Sequence, residues 1–198
     1  MYFSQSKLLM QQVQAAAVQA SQRKYDITRH KCFVSYHVAD LEEVKAFVDA
    51  FGEEFIPRTV GVTDEDDFID STDEDYIKSK IRSVYLSEST VTIVLLGKLT
   101  HGRKYVDWEI SATLRNDTVN KRSGLLVIPL PSMRNNAILP QRVRDNWVNG
   151  RSELSYANYQ SYPTSKAQLK SYIGNSYLAR TTKSHLVDNS RPLRQRNA

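Results

Sequence analysis

The chain has 198 residues, 40% hydrophobic and 25% charged, a size and balance that fit one α/β domain with appendages and exclude disorder throughout. No run of about 18 apolar residues occurs, so no membrane-spanning helix is expected, and "MYFSQSKLLMQQ" lacks the basic start and apolar core of a secretory signal. The pI is about 9.2, yet the positive charge is concentrated in residues 134–198, which hold 11 of the 27 Lys and Arg and 3 of the 22 Asp and Glu; with no basic–aromatic reader motif beside it, nucleic-acid binding is disfavoured.

Residues 5–24 predict a helix, with Leu9, Val13, Ala16, Ala17 and Ala20 at helical spacing among Gln and Lys. Its apolar stripe is thin, so it needs a surface to pack on, either the domain or a second copy of the chain. "KCFVSY", 31–36, reads as a buried strand. Cys32 within it is the single cysteine, so no disulfide organises the fold and a reducing cytoplasm fits. Residues 39–55 predict an amphipathic helix with Leu41, Val44, Phe47, Val48 and Phe51 inward. "TVGVTD", 59–64, reads as a short strand weakened by Gly61, and beyond an acidic run a second helix is expected over 73–86, capped by Ser71 or Thr72. "STVTIVLLG", 89–97, is apolar enough to be a strand covered on both faces. A third helix over 106–116 and a strand over 124–131 complete β-α-β-α-β-α-β, the pattern of a parallel sheet with helices on both faces.

Three regions follow: an N-terminal helical extension, 1–29; an α/β domain, 30–133; and a C-terminal extension, 134–198. In the last, "ILPQRVRDNW" reads as a loop leading to a short element, and 152–162 is Ser- and Tyr-rich. Residues 164–181 predict a helix broken near Gly174, and "NSRPLRQRNA" reads as a disordered end.

Open parallel sheets bind ligands beyond the carboxyl ends of their strands. Those ends are Ser35-Tyr36-His37, Thr63-Asp64, Gly97-Lys98 and Leu130-Pro131. No G-x-G-x-x-G follows the first strand and no G-x-x-x-x-G-K-[ST] occurs, which disfavours the ordinary dinucleotide and P-loop modes. The histidines are scattered, and the acidic run from Asp64 to Asp75 lacks the glycine and oxygen spacing of an EF-hand, so no metal site is expected. Asp64 alone of that run stands at a strand end. In "KYVDWEIS", 104–111, Tyr105 and Trp108 share a stripe with Ala112, and Val106 and Ile110 share another with Leu114. Glu109 lies beside both. On position it is either a surface acid favoured by the helix dipole or a carboxylate at the lip of a pocket.

"KCFVSYHVAD" resembles the first strand and loop of TIR domains, and "YVDWEI" resembles their Trp-Cys-x-x-Glu-Leu signature, with Tyr105 in place of the usual Trp and Glu109 as the acid. "GVTD", "STVTIVLLG" and "IPLP" are similar to the TIR-like branch of Thoeris antiphage systems, in particular their TIR subunit. The resemblance covers about residues 30–131 and implies an open, flavodoxin-like TIR sheet.

It further implies that NAD is a substrate rather than a cofactor, cleaved between nicotinamide and ribose with Glu109 as the catalytic acid. The product would be a cyclic or rearranged ADP-ribose that activates a separate effector protein, with a phage component as trigger and self-assembly as a family habit. Ser35, Tyr36, His37, Asp64, Tyr105 and Trp108 are the candidate pocket residues, with Lys98, Arg103 and Lys104 as cations near the entrance. Two other readings stay open: a non-catalytic TIR adaptor, and a nucleoside deoxyribosyltransferase-like enzyme with a nucleophilic Glu.

Overall fold

The computed structural model describes residues 2–22, 29–59, 86, 88–117, 121–134 and 136–198. Its described strands form one five-stranded sheet in the order β2-β1-β3-β4-β5, with every neighbouring pair parallel. They are β1 (Lys31–Ser35), β2 (Ile56–Thr59), β3 (Val91–Leu96), β4 (Gly124–Pro129) and β5 (Asn158–Tyr159). All six residues of β3 and of β4 are buried, as expected of strands with helices on both faces.

The strand expected over 59–64 starts earlier, at Ile56, and is described as far as Thr59. It is an edge strand, where Pro57 can pair beside Cys32 because its missing N–H is tolerated at the sheet margin. Residues 60–64, the acidic run and the helix expected over 73–86, apart from Leu86, lie outside the described residues.

On one face, α2 (Leu41–Phe51) buries the five apolar residues read from its periodicity. It shares a core with β1, β3 and α5 (Lys166–Thr182), in which Leu169, Tyr172 and Ile173 are buried. The long first helix, α1 (Tyr2–Gln22), packs on α2 and β2 of the same chain and places Val13 in that core. On the other face, α3 (Lys104–Leu114) sends its two stripes into two clusters. Val106, Ile110 and Leu114 meet Val94, Leu125 and Val143 of α4 (Gln141–Asp145). Tyr105, Trp108 and Ala112 meet Phe33, Leu86 and Leu193.

The region after residue 133 therefore builds part of the same sheet. β5 pairs with β4, and α5 lies so close to β4 that a Cβ on Gly124 would stand 2.1 Å from the Ser176 carbonyl oxygen. No break occurs at Gly174, where a side chain would meet nothing within 4 Å; one glycine costs a helix about 1 kcal/mol but removes no hydrogen bond. The disordered end expected from composition is also corrected. Leu193 is 3% exposed, and the surrounding backbone is hydrogen-bonded to α3 and its N-terminal loop.

Candidate active site

Chain order runs from β1 outward to β2 and then returns to β3 on the other side of β1. That reversal opens a crevice beyond the carboxyl ends of β1 and β3, the position where such sheets take ligands. Ser35 is the last residue of β1 and Glu109 lies in the second turn of α3. Both are buried, and the Ser35 hydroxyl donates to Glu109 Oε2 at 2.6 Å.

Burial pushes the Glu109 carboxyl up to about 8, against the opposing pull of the Ser35 hydroxyl and the Arg103 charge. The acid is therefore mostly protonated at neutral pH. The Tyr36 phenol is pushed up as well, by burial and then by the Glu109 charge. Its hydroxyl is buried with no hydrogen-bond partner among the described residues.

His37 caps the next turn, its Nδ1 accepting from the Ala39 N–H at 3.0 Å. That bond assigns the ring proton to Nε2. Burial and the Arg103 charge lower its basicity, so it is neutral near pH 7. Arg103 is not an entrance cation but a buried one, 6% exposed, with its guanidinium 5.5 Å from the Tyr105 ring centre. Lys98 is exposed, and the Lys104 ammonium lies over the Tyr105 and Trp108 rings.

A residue not singled out from sequence completes the crevice. Asp40 stands on the loop after β1 with its carboxylate against Gly97 of the loop after β3. Burial and the Glu43 charge raise its carboxyl, against the pull of Lys98 and Thr100, and its Oδ2 is buried with no hydrogen-bond partner among the described residues. Its carboxylate fills the space of a Gly97 side chain: a Cβ there would lie 1.9 Å from Oδ2. The available signal was its place in "SYHVAD", five residues beyond the strand-end serine.

The structure thus brings Ser35, Tyr36, His37, Arg103 and Glu109 together, with Asp40 on the adjoining loop. It does not bring Trp108 to them. The Trp108 indole N–H donates to the Arg194 carbonyl at 2.8 Å, and the ring lies beneath Leu193. Tyr105 packs edge-on against Trp108, their centres 5.1 Å apart, and meets the crevice through Arg103. Asp64 lies outside the described residues. Among the described residues no three His, Cys, Asp or Glu side chains group as metal ligands, and no helix is long and apolar enough to cross a membrane.

An open parallel α/β domain with an acid hydrogen-bonded at its switch point is consistent with a flavodoxin-like, TIR-like fold. The family model for the TIR-like domain of the Thoeris protein ThsB matches residues 33–135, just over half of the chain. The chain belongs to that family, which points to Thoeris antiphage defence. No curated protein and no solved structure gives a significant match. The matched segment contains every crevice residue described above, whereas β5, α5 and residues 188–198 fall outside it.

Proposed function

We propose that this chain is a TIR-type enzyme that cleaves the nicotinamide–ribose bond of NAD and releases an ADP-ribose-derived signal, cyclic or otherwise rearranged, to a separate effector in defence. The observation that carries the reading is the Ser35–Glu109 hydrogen bond at the switch point.

Nicotinamide in NAD is already a cationic leaving group and needs no general acid. When the C–N bond breaks, its electron pair goes to the nicotinamide nitrogen and the ribosyl carbon becomes oxocarbenium-like. A carboxylate beside that ribose stabilises the developing charge. Glu109 begins largely protonated; the positive charge of a bound nicotinamide ring favours loss of that proton to solvent before the bond breaks, and Ser35 and Arg103 already favour the ionised form. A group on the ADP portion that captures the ribosyl carbon closes a ring, and exclusion of water by the buried walls favours that outcome over hydrolysis.

One observation favours the adaptor reading instead: Glu109 is buried and already partnered, so it could serve the fold without ever meeting substrate. Mass spectrometry of nucleotides from phage-challenged cells separates the two. An ADP-ribose-related ion that appears with the wild-type chain and disappears with Glu109→Gln supports the enzyme. An unchanged nucleotide pool supports the adaptor.

A further inference from the structure

Residues 188–198 lie along α3, the helix that carries Glu109, and bond to it from end to end. At the start of α3, Arg103 occupies the cap position without a side-chain cap bond of its own. The Asn197 side-chain oxygen accepts from the Lys104 N–H there at 2.9 Å. The Ala198 N–H donates to the Gly102 carbonyl one residue earlier in the loop. In mid-helix, Asp107 accepts from the Arg194 N–H at 3.0 Å, and the Trp108 indole donates to the Arg194 carbonyl. In the last turn, the Asn189 amide donates to the Ser111 carbonyl at 3.0 Å. The segment thus satisfies groups at both ends of α3 that a helix leaves without internal partners.

Arg142 fastens this strap. It is fully buried and reaches from α4 with five N–H donors. Two meet the Asp107 carboxylate, at 3.0 and 3.2 Å, and three meet the Asn189 side chain and the Arg191 and Pro192 carbonyls at 2.8–3.1 Å. One guanidinium therefore binds α3 and the strap at once, with every donor used. Asn146, just beyond α4, holds the start of the strap by exchanging bonds with the Asp188 backbone.

We propose that Arg142 is a positioning residue for the Glu109 site: through Asp107 and the strap it fixes the axial and rotational setting of α3, and so the placement of the acid against Ser35. The inference rests on Glu109 being the acid of the proposed reaction. Arg142 touches none of the crevice residues directly in the structure; its influence passes through the two positions that precede Glu109 in the helix.

The test compares the full-length wild type with Arg142→Lys, which keeps the charge but loses the planar fork, and with Asn197→Ala, an exposed change that removes the cap alone. Amide hydrogen exchange and NAD kinetics are read on each. The expected result is at least tenfold faster exchange across 104–110, with β3 and β4 unchanged. It is accompanied by a kcat lowered at least fivefold at nearly constant KM, as a group displaced from its transition-state contact would give. Faster exchange confined to 188–198, or altered α3 exchange with wild-type kcat, would overturn the positioning role. If the wild type itself turns over no NAD, the proposed reaction fails, while the exchange at 104–110 still decides whether Arg142 and the strap control α3. A global loss of protection in Arg142→Lys shifts the decision to Asn197→Ala.

Discussion

The Ser35 hydroxyl stands 2.6 Å from Glu109 Oε2, joining the end of β1 to the second turn of α3 across 74 positions of sequence. In the proposed reaction this bond aims the acid, and NAD would supply the charge that ionises it. Removing the donor leaves the acid harder to ionise, because that bond is the largest influence opposing burial. Ser35→Ala is expected to lower kcat/KM near neutral pH by about 1–3 kcal/mol, roughly 5- to 150-fold. Its pH–rate profile should move to the alkaline side, and Ser35→Thr should recover much of the loss. An unchanged profile in Ser35→Ala would show the bond to be incidental.

The buried acid also carries a stability signature. Glu109 titrates near 8 in the folded chain against an ordinary 4.5. Between those values the folded state holds a proton that the unfolded state has released, so stability falls as pH rises through the window. Its favourable contribution is complete below about 4.5 and gone above about 8. Glu109→Gln removes that slope. Thermal melts should show the variant close to wild type near pH 5 and higher near pH 9, by roughly 2–4 °C for each kcal/mol recovered. A lower melting temperature for the variant near pH 9 would contradict the buried, proton-holding acid.

The elements that carry the candidate site could be read in advance because they follow strong patterns. The apolar run 91–96 defines β3 and Ser35 stands at the end of another such run, whereas position alone left Glu109 ambiguous and the TIR resemblance singled it out. Other features carried no pattern. β5 is only Asn158 and Tyr159, too short to alternate and recruited by the exposed margin of β4. The strap is polar and basic, and its order comes from one buried leucine and from side-chain and backbone bonds to distant residues. Trp108 could be assigned to a stripe, but what covered that stripe was an eleven-residue segment lying 80 positions or more further on. Periodicity reports which face is buried, not what buries it.

Gly97 and Asp40 are coupled by space. Gly97→Ala puts a Cβ where the Asp40 carboxylate now lies and forces it out of that position. Chemical denaturation should show a loss of about 1–3 kcal/mol. In an Asp40→Ala background the same change should cost far less, and strict additivity in that cycle would argue against the contact.

A buried hydroxyl pair tethers the same helix to the sheet. Thr92 and Thr113 lie 2.7 Å apart, and Thr113 also donates to the Glu109 carbonyl. Thr113→Val keeps the shape but strands Thr92, at an expected cost of about 1–3 kcal/mol. Thr92→Val combined with it should return part of that cost. A double variant no more stable than Thr113→Val would contradict the pairing.

The proposed role of Glu109 as the carboxylate that serves NAD cleavage is tested by NAD consumption, with the wild-type chain and Glu109→Gln compared side by side and folding checked by melting. The wild type, once activated, should release nicotinamide and an ADP-ribose-related product, and the folded variant should be slower by orders of magnitude. A folded Glu109→Gln that turns over NAD at the wild-type rate would contradict that role.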